Sequence, residues 1–166
     1  ITTYFESLDK KIYEKLSTSD IDAIHLDLVR GTENKNYIQN ENKILSLGII
    51  DGRNIWKSDL NNKIKFLQQS AKSENEIIIS TSCSLLYCPY DLDLEKKVPK
   101  EIKRWLSFSK QKLHELNLIK TFINEGDKNI NKELEQNKLD ILDRQNSKLI
   151  HDSSVKKRLK TINSSI

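Results

Sequence analysis

Methionine is absent from these 166 residues, and cysteine nearly so: Cys83 and Cys88 are the whole complement. A closed structural zinc site needs four ligands, usually delivered as two short-spaced pairs. One widely spaced cysteine pair and three scattered histidines, His25, His114 and His151, do not supply them. A disulfide framework belongs to short secreted chains dense in cysteine, and a thioredoxin-like redox pair is spaced C-x-x-C. Neither pattern fits, and a reducing, cytoplasmic setting is expected. Long apolar runs are missing as well. Nothing approaches the roughly 18 residues of a membrane span, and no charged start leads into an apolar core as in a signal peptide. Blocks of five like charges are also absent: the formal net charge is +4, but Lys and Glu interleave along the chain. That distribution argues against the one-sided basic face of a nucleic-acid binder. Neither nucleic acid nor membrane is expected as a partner.

Charged residues make up 31% of the chain and hydrophobic ones only 36%, so the core is modest for this length and part of the chain should be solvated helix or linker. Lysine far outnumbers arginine, and Asn and Ile are abundant, a bias that AT-rich codons produce without any demand from protein physics. The opening ITTYF is apolar, β-branched and aromatic. With no methionine and no leader in front of it, it reads as a strand cut from something longer.

Short apolar or period-two runs recur at Ile1–Phe5, Ala23–Val29, Ile44–Ile50 and Ile77–Ser80, separated by charged connectors. The first connector, Ser7–Ser17, carries Leu8, Ile12 and Leu16 at helical spacing. The third has Ser58 or Asp59 as N-cap and places Leu60, Ile64, Leu67 and Ala71 on one face. The second, Arg30–Lys43, offers only Tyr37 and Ile38 for burial and is expected to form a helix. Connectors of these lengths suit crossovers between parallel strands. After Pro99 the pattern changes: Ile102, Trp105, Leu106, Leu113, Leu116, Ile119 and Ile123 predict one long amphipathic helix ending at Gly126, with Pro99 in its first turn. Beyond it, Asn131–Asn146 and Val155–Ile162 have sparse apolar positions and read as a helical extension or linker.

Four strand-plus-connector units with parallel strands amount to half of an eight-stranded barrel, which takes about 250 residues when complete. The fold class expected is therefore α/β: the second half of a (β/α)8 TIM-type barrel over residues 1–126, and a helical extension and inter-barrel linker over 127–166. The stretches IHLDLV, LSLGIIDGRNIWKSDL and STSCSLLYCPYDLDLE, followed by EIKRWLSFSKQKLHEL, resemble the amino-terminal half of cobalamin-independent methionine synthase. The likeness runs in order from Ile1 to about Ile162, where HDSSVKKRLKTI is similar to the arm joining that enzyme's two halves. DGRNIW and the SCSLL stretch together are a specific signal.

The resemblance implies a two-barrel enzyme that transfers a methyl group from 5-methyltetrahydrofolate with a polyglutamate tail to homocysteine, forming methionine. Zinc and homocysteine would sit in the carboxy-terminal barrel, no cobalamin would be needed, and the amino-terminal barrel would be a metal-free relative. Aligned strand by strand with the metal-binding half, the ligand and proton-donor places here hold Thr3 and Phe5, then Asp27, Arg53 and Cys83. One thiolate and one carboxylate cannot complete a tetrahedral site. Cys83 then resembles the echo of a zinc cysteine, while Cys88 has no counterpart. The partners implied are the remaining strands of the barrel, the carboxy-terminal barrel and the two substrates.

The other motifs are weighed against ordinary packing. Both cysteines fit small buried thiols. His25 and Asp27 point to one face of their strand and fit a hydrogen-bonded polar pair better than a ligand pair. DLDLE lacks the glycine and distal glutamate of a calcium loop and reads as a turn with solvated carboxylates. In DGRNIW, Asp51-Gly52 makes a turn at the carboxyl end of a strand, where barrel sites are built, and Arg53 and Asn54 offer planar donors suited to carboxylates. They are the candidate substrate-binding residues, facing the folate tail or the other barrel; as architecture they would pair with Asp27 or Asp51. No catalytic and no metal-binding residue is assigned to the segment. The competing reading is a non-catalytic structural or binding remnant of an interrupted gene.

Overall fold

The computed structural model of the chain describes residues 1–40, 43–70, 76–127 and 129–163. Three parallel strands form one sheet in the order β1 (Ala23–Asp27), β2 (Ile44–Ile50), β3 (Ile77–Thr81). Helix α1 (Lys10–Thr18) precedes β1, a 3-10 segment (Thr32–Asn40) links β1 to β2, and α2 (Leu60–Ser70) links β2 to β3. A short α3 (Lys100–Lys103), then α4 (Ser109–Glu125), α5 (Asn131–Asn146) and α6 (Ser153–Asn163), complete the chain. Among the described residues no helix is long and apolar enough to cross a membrane.

The central strand explains the core. β2 is covered on both faces, and Leu45, Leu47, Ile49 and Ile50 are all buried together with Ile24 and Leu26 of β1. Near-continuous burial of this kind is what a parallel strand flanked by helices requires. At about 1.5–3 kcal/mol for each fully buried aliphatic side chain, these six residues form the largest favourable element of the sheet. Helix α2 contributes Leu60, Ile64 and Leu67, the face expected from its spacing, and Asp59 caps it by accepting from the Asn62 backbone N–H at 3.1 Å. Ala71, expected on the same face, lies outside the described residues.

Four expectations need correcting. The strand expected at Ile1–Phe5 reaches the sheet only as a single parallel bridge between Thr2 and His25. Thr3 turns its hydroxyl onto the His25 carbonyl at 2.6 Å, the Phe5 N–H goes to the Asp27 carboxylate at 3.0 Å, and Phe5 adopts a φ of 80°. Backbone pairing with β1 is limited to Ile1 and Thr3, the Ile1 carbonyl accepting from the His25 N–H at 2.8 Å and the Thr3 N–H donating to the His25 carbonyl at 3.3 Å; the Asp27 carboxylate then takes the Phe5 N–H, and the positive φ ends the extended run. In α1 the buried residue is Tyr13 rather than Ile12, because Tyr13 stacks on Tyr37 with ring centroids 3.9 Å apart. The connector between β1 and β2 is a 3-10 rather than an α-helix.

The fourth correction is the long helix after Pro99, which breaks at Arg104–Phe108. There Leu106 forms an antiparallel bridge with Trp56, the Lys57 N–H donates to the Trp105 carbonyl at 2.8 Å, and the Ser107 N–H donates to Ile55 at 2.8 Å. A continuous helix would forfeit this bridge and the buried Trp105 and Phe108 side chains with it. Beyond the break the expected stripe holds at Ile119 and Leu116 but not at Leu113 and Ile123, which are exposed, while Lys112, Glu115 and Leu118 are buried instead. The helix does end at Gly126, φ 80°. Helix α5 packs on α2, and Ile130 and Leu134 join the main core, so this stretch contributes more to the core than its sparse apolar residues suggested. Helix α6 is exposed along its length, Val155, Leu159 and Ile162 included.

Gly48 tests the close packing of the sheet. A Cβ there would lie 2.7 Å from the Ser82 Cα and 3.0 Å from the His25 imidazole. Backbone cannot yield as a flexible side chain can, so Gly48→Ala is expected to destabilise the protein by about 1–3 kcal/mol. A lowered urea midpoint at unchanged slope is the expected result; an unchanged midpoint would mean that the strand ends are looser than the geometry shows.

Candidate functional site

The carboxyl ends of the three strands hold the polar residues singled out from the sequence. Asp27 ends β1, and both its oxygens are committed: Oδ1 accepts from the N–H groups of Val29 and Arg30 at 2.8 and 2.9 Å, Oδ2 from Phe5 at 3.0 Å. His25 crosses the sheet, with Nδ1 2.9 Å from the Ser46 hydroxyl and Nε2 3.3 Å from the Ser82 carbonyl. One neutral tautomer satisfies both contacts, Nε2–H donating and Nδ1 accepting. Burial lowers its pKa, which favours that neutral form. His25 and Asp27 are thus hydrogen-bonded polar residues, each with its own partners.

The DGRNIW loop follows β2. Asp51 accepts the Arg53 N–H at 2.8 Å through Oδ1 and the Asn54 amide at 2.8 Å through Oδ2. Asn54 Oδ1 in turn accepts from the Trp56 N–H at 3.0 Å and from the Lys112 ammonium at 3.1 Å. Gly52 has no room for a side chain, because a Cβ would lie 2.5 Å from the Cys83 carbonyl oxygen. Arg53 and Asn54 therefore play different parts. Asn54 is a strut whose amide binds Asp51, one of the two architectural partners expected for the pair. The Arg53 guanidinium lies over the rings of Phe5 and Tyr87, 5.2 and 5.9 Å from their centroids, on an exposed residue. Within cation–π range of two rings and on an exposed residue, the guanidinium is placed to meet a planar anion.

Sequence reasoning missed Lys112 and Glu115. Lys112 is fully buried, and its ammonium donates to Asn54 Oδ1 and to the Trp56 carbonyl at 3.3 Å. Desolvation lowers its pKa, with Glu115 opposing that effect. Glu115 Oε1 accepts from the Ser58 N–H at 3.2 Å, and burial raises the carboxyl pKa against the pull of Ser107, Ser58 and Lys112. A lysine and a glutamate three apart on a helix ordinarily mark its solvated face, so no local signal could have placed this pair inside.

As a donor set for zinc, the residues at the aligned places do not fit. Both Asp27 oxygens are spent on backbone N–H groups, the Thr3 hydroxyl is turned onto a carbonyl, Phe5 has no donor atom, and the Arg53 side chain is cationic. Cys83 and Cys88 are buried free thiols, and the Cys88 thiol lies 3.7 Å from the Asn54 carbonyl. Among the described residues no group of three or more His, Cys, Asp and Glu converges.

The DLDLE turn departs from expectation at one carboxylate. Asp93 and Glu95 are exposed, but Asp91 is buried and bonded to Lys110 at 2.7 Å and to Gln111 at 2.8 Å while capping the short turn that follows. Lys110, the Asp93 N–H and Gln111 hold its pKa down to about 2 from an ordinary 3.8. A folded-state pKa below the unfolded value adds stability that is complete above about pH 4 and is lost as pH falls towards 2. Asp91→Asn is expected to remove that acid limb from the stability profile. A carboxyl carbon titration that placed Asp91 near pH 4 would refute the assignment.

With this geometry in place, the comparisons with known proteins become informative. The family model described as cobalamin-independent synthase, N-terminal domain, matches residues 1–75. The 5-methyltetrahydropteroyltriglutamate–homocysteine methyltransferase of Ralstonia pickettii is 38% identical over 165 residues, 98% of this chain and 21% of that protein. The protein of the same name from Buchnera aphidicola of Acyrthosiphon pisum is 40% identical over 98% of this chain and 21% of its own length. That from Coxiella burnetii is 36% identical over the same shares. The chain thus spans about a fifth of the length of these relatives. Residues 1–75 thus match the N-terminal domain of cobalamin-independent synthase, and the likeness to the named methyltransferases runs along 98% of the chain.

Proposed function

We propose that the chain is part of a methyltransferase that moves a methyl group from 5-methyltetrahydropteroyltriglutamate to homocysteine, giving methionine without cobalamin. The observation that carries this reading is the 36–40% identity along 98% of the chain to relatives bearing that activity in their names. In this reading β1, β2, β3 and the Ile1–Thr3 bridge segment are the last four strands of a (β/α)8 barrel. Residues 1–126 supply its second half, and residues 127–166 extend towards the second barrel, with α5 docked on α2. Zinc and homocysteine belong to residues outside this chain, and no step of the chemistry is assigned to its side chains. The expected setting is the cytoplasm.

The role proposed for the segment is scaffold and surface. Arg53, beside Phe5 and Tyr87, is suited to a carboxylate, and the triglutamate tail of the methyl donor carries several. Asn54 acts through the loop it braces rather than by touching substrate. In the complete enzyme, Arg53→Ala is expected to raise KM for the triglutamate donor about tenfold to a hundredfold, the scale of one charge-assisted hydrogen bond, with kcat little changed. Cys83→Ala should retain turnover. Unchanged kinetics in Arg53→Ala would remove that residue from the site, and absence of methyl transfer by the complete wild-type protein would remove the function.

The barrel reading makes a separate prediction. Among the described residues β3 has a partner only on its β2 side, and Ile78 on it is exposed; at the other edge the Ile1–Thr3 segment is likewise unpaired outward among them. Open apolar edges of this kind recruit other strands. The 166-residue chain alone is therefore expected to self-associate or melt broadly in sedimentation and thermal experiments, and the missing strands added in trans should sharpen the transition. A monomer with a sharp, reversible melt would exclude the half-barrel.

A further inference from the structure

Phe5, at φ 80°, is the only non-glycine residue at positive φ among the described residues. That conformation is easy for glycine and a steric outlier for a bulky side chain. The turn itself does not call for a ring. The chain leaves β1 because the Asp27 carboxylate takes the Phe5 N–H at 3.0 Å, after which Asn34 donates to the Glu6 carbonyl at 3.3 Å and accepts from the Leu8 N–H at 2.8 Å. All three contacts are made to backbone, and a glycine in place of Phe5 would allow each of them without strain.

Burial does not reward the ring either. Tyr4 and Phe5 both stay 42% exposed, although Tyr4 meets the His25 imidazole edge-on with ring centroids 5.4 Å apart. What the Phe5 ring does meet is Arg53, whose guanidinium lies over it at 5.2 Å from the centroid, with the Tyr87 ring at 5.9 Å. The segment before α1, the loop after β2 and the turn after β3 thus converge on one guanidinium. Strain of this kind persists only where the surrounding structure imposes it, and it collects at ligand sites.

We infer that Phe5 is a positioning residue: its strained backbone sets the ring against Arg53, so that the guanidinium is oriented for the carboxylates of the methyl donor's triglutamate before the donor arrives. The inference rests on the contact proposed above between Arg53 and that tail, and adds the residue that prepares it. An arginine side chain gives up rotamer freedom when it takes a carboxylate. A ring face that holds the guanidinium beforehand removes part of that cost. In this scheme Phe5 acts only through Arg53.

The test is equilibrium binding of 5-methyltetrahydropteroyltriglutamate to the complete protein that carries these residues, read alongside its thermal unfolding. Phe5→Leu keeps apolar bulk and removes the ring face, and should weaken the donor about threefold or more. Phe5→Gly removes ring and strain together, so affinity should fall by as much while the melting temperature holds or rises. Phe5→Tyr should keep wild-type affinity. In an Arg53→Ala background, Phe5→Leu should cause no further loss. Unchanged affinity in Phe5→Leu while Arg53→Ala weakens the donor, an additive loss in the double variant, or a Phe5→Gly protein that loses stability and affinity together would each overturn the positioning role and leave the Arg53 contact standing. Absence of donor binding, or unchanged affinity in Arg53→Ala, would remove that contact and the positioning role with it. Donor binding and its Phe5 dependence without methyl transfer would support the inference and count against the proposed function alone.

Discussion

A buried ammonium must find acceptors, and that requirement organises the side of the molecule facing the DGRNIW loop. Lys112 has no access to solvent, and its two acceptors both belong to that loop, the Asn54 amide oxygen and the Trp56 carbonyl. Losing either would leave a buried ammonium N–H without its acceptor, a cost of about 1–3 kcal/mol. Helix α4 is held in the rotation that brings Lys112 inward, Leu113 is turned out to water, and the chain ahead of the helix runs extended alongside Trp56 rather than as a further turn of helix. The loop is fixed from its other end by Asp51, so that Asn54 is bound through both its oxygen and its nitrogen. Arg53 is the residue this leaves free to face outward.

The same accounting of polar groups governs the strand ends. His25 ties β1 to Ser46 of β2 and to Ser82 in the turn after β3, Asp27 gathers the N–H groups of Phe5, Val29 and Arg30, and the Gly52 N–H donates to the Ser82 hydroxyl at 3.2 Å. Backbone groups that leave the ladder at these ends are met by side chains, as buried backbone must be. The consequence is a rigid floor below the loops. What stands above it is apolar and aromatic: Leu86, Tyr87 and Tyr90 are strongly exposed, with Arg53 leaning on one of them. A large exposed apolar surface beside a cation is the kind of surface that a partner or ligand covers.

Helix α5 ties the far end of the chain to this floor. Asn137 caps the start of α2 by accepting the Leu60 N–H at 3.1 Å and returns its amide to the Ser58 carbonyl at 2.9 Å, while Asp140 neutralises Lys57. Trp105 donates its indole N–H to Asp143 at 2.7 Å, and Arg104 pairs with the same carboxylate. The loop after β2 is therefore buttressed from α4 and α5 together, across more than fifty positions of sequence. That arrangement explains how residues 131–146, poor in apolar side chains, are nonetheless docked: they are held by hydrogen bonds to backbone ends that would otherwise be buried without partners.

By itself the sequence determined what depends on neighbours along the chain. The runs at Ala23–Asp27, Ile44–Ile50 and Ile77–Thr81 are strands because β-branched and aliphatic residues are clustered in short stretches between polar connectors, and α2 buries Leu60, Ile64 and Leu67 because their spacing leaves no other face. Gly126 stops its helix, and the DGRNIW and SCSLL stretches carried the resemblance. Tertiary structure decided the rest. Ile1–Phe5 has strand composition but pairs with β1 only as far as Thr3, because the Asp27 carboxylate, from another element, takes the Phe5 N–H and turns the chain away. Ile12 yields the core to Tyr13 because Tyr37, twenty-four positions on, offers a ring to stack against. The α4 stripe held at Leu116 and Ile119 but missed at Leu113 and Ile123 for the same reason: hydrophobic spacing reports the average cost of exposing side chains. It cannot register that a lysine turned inward will meet an amide oxygen and a carbonyl fifty-six to fifty-eight residues away. Burial of an ion is decided by whether its partners are already in place, and only the folded chain puts them there.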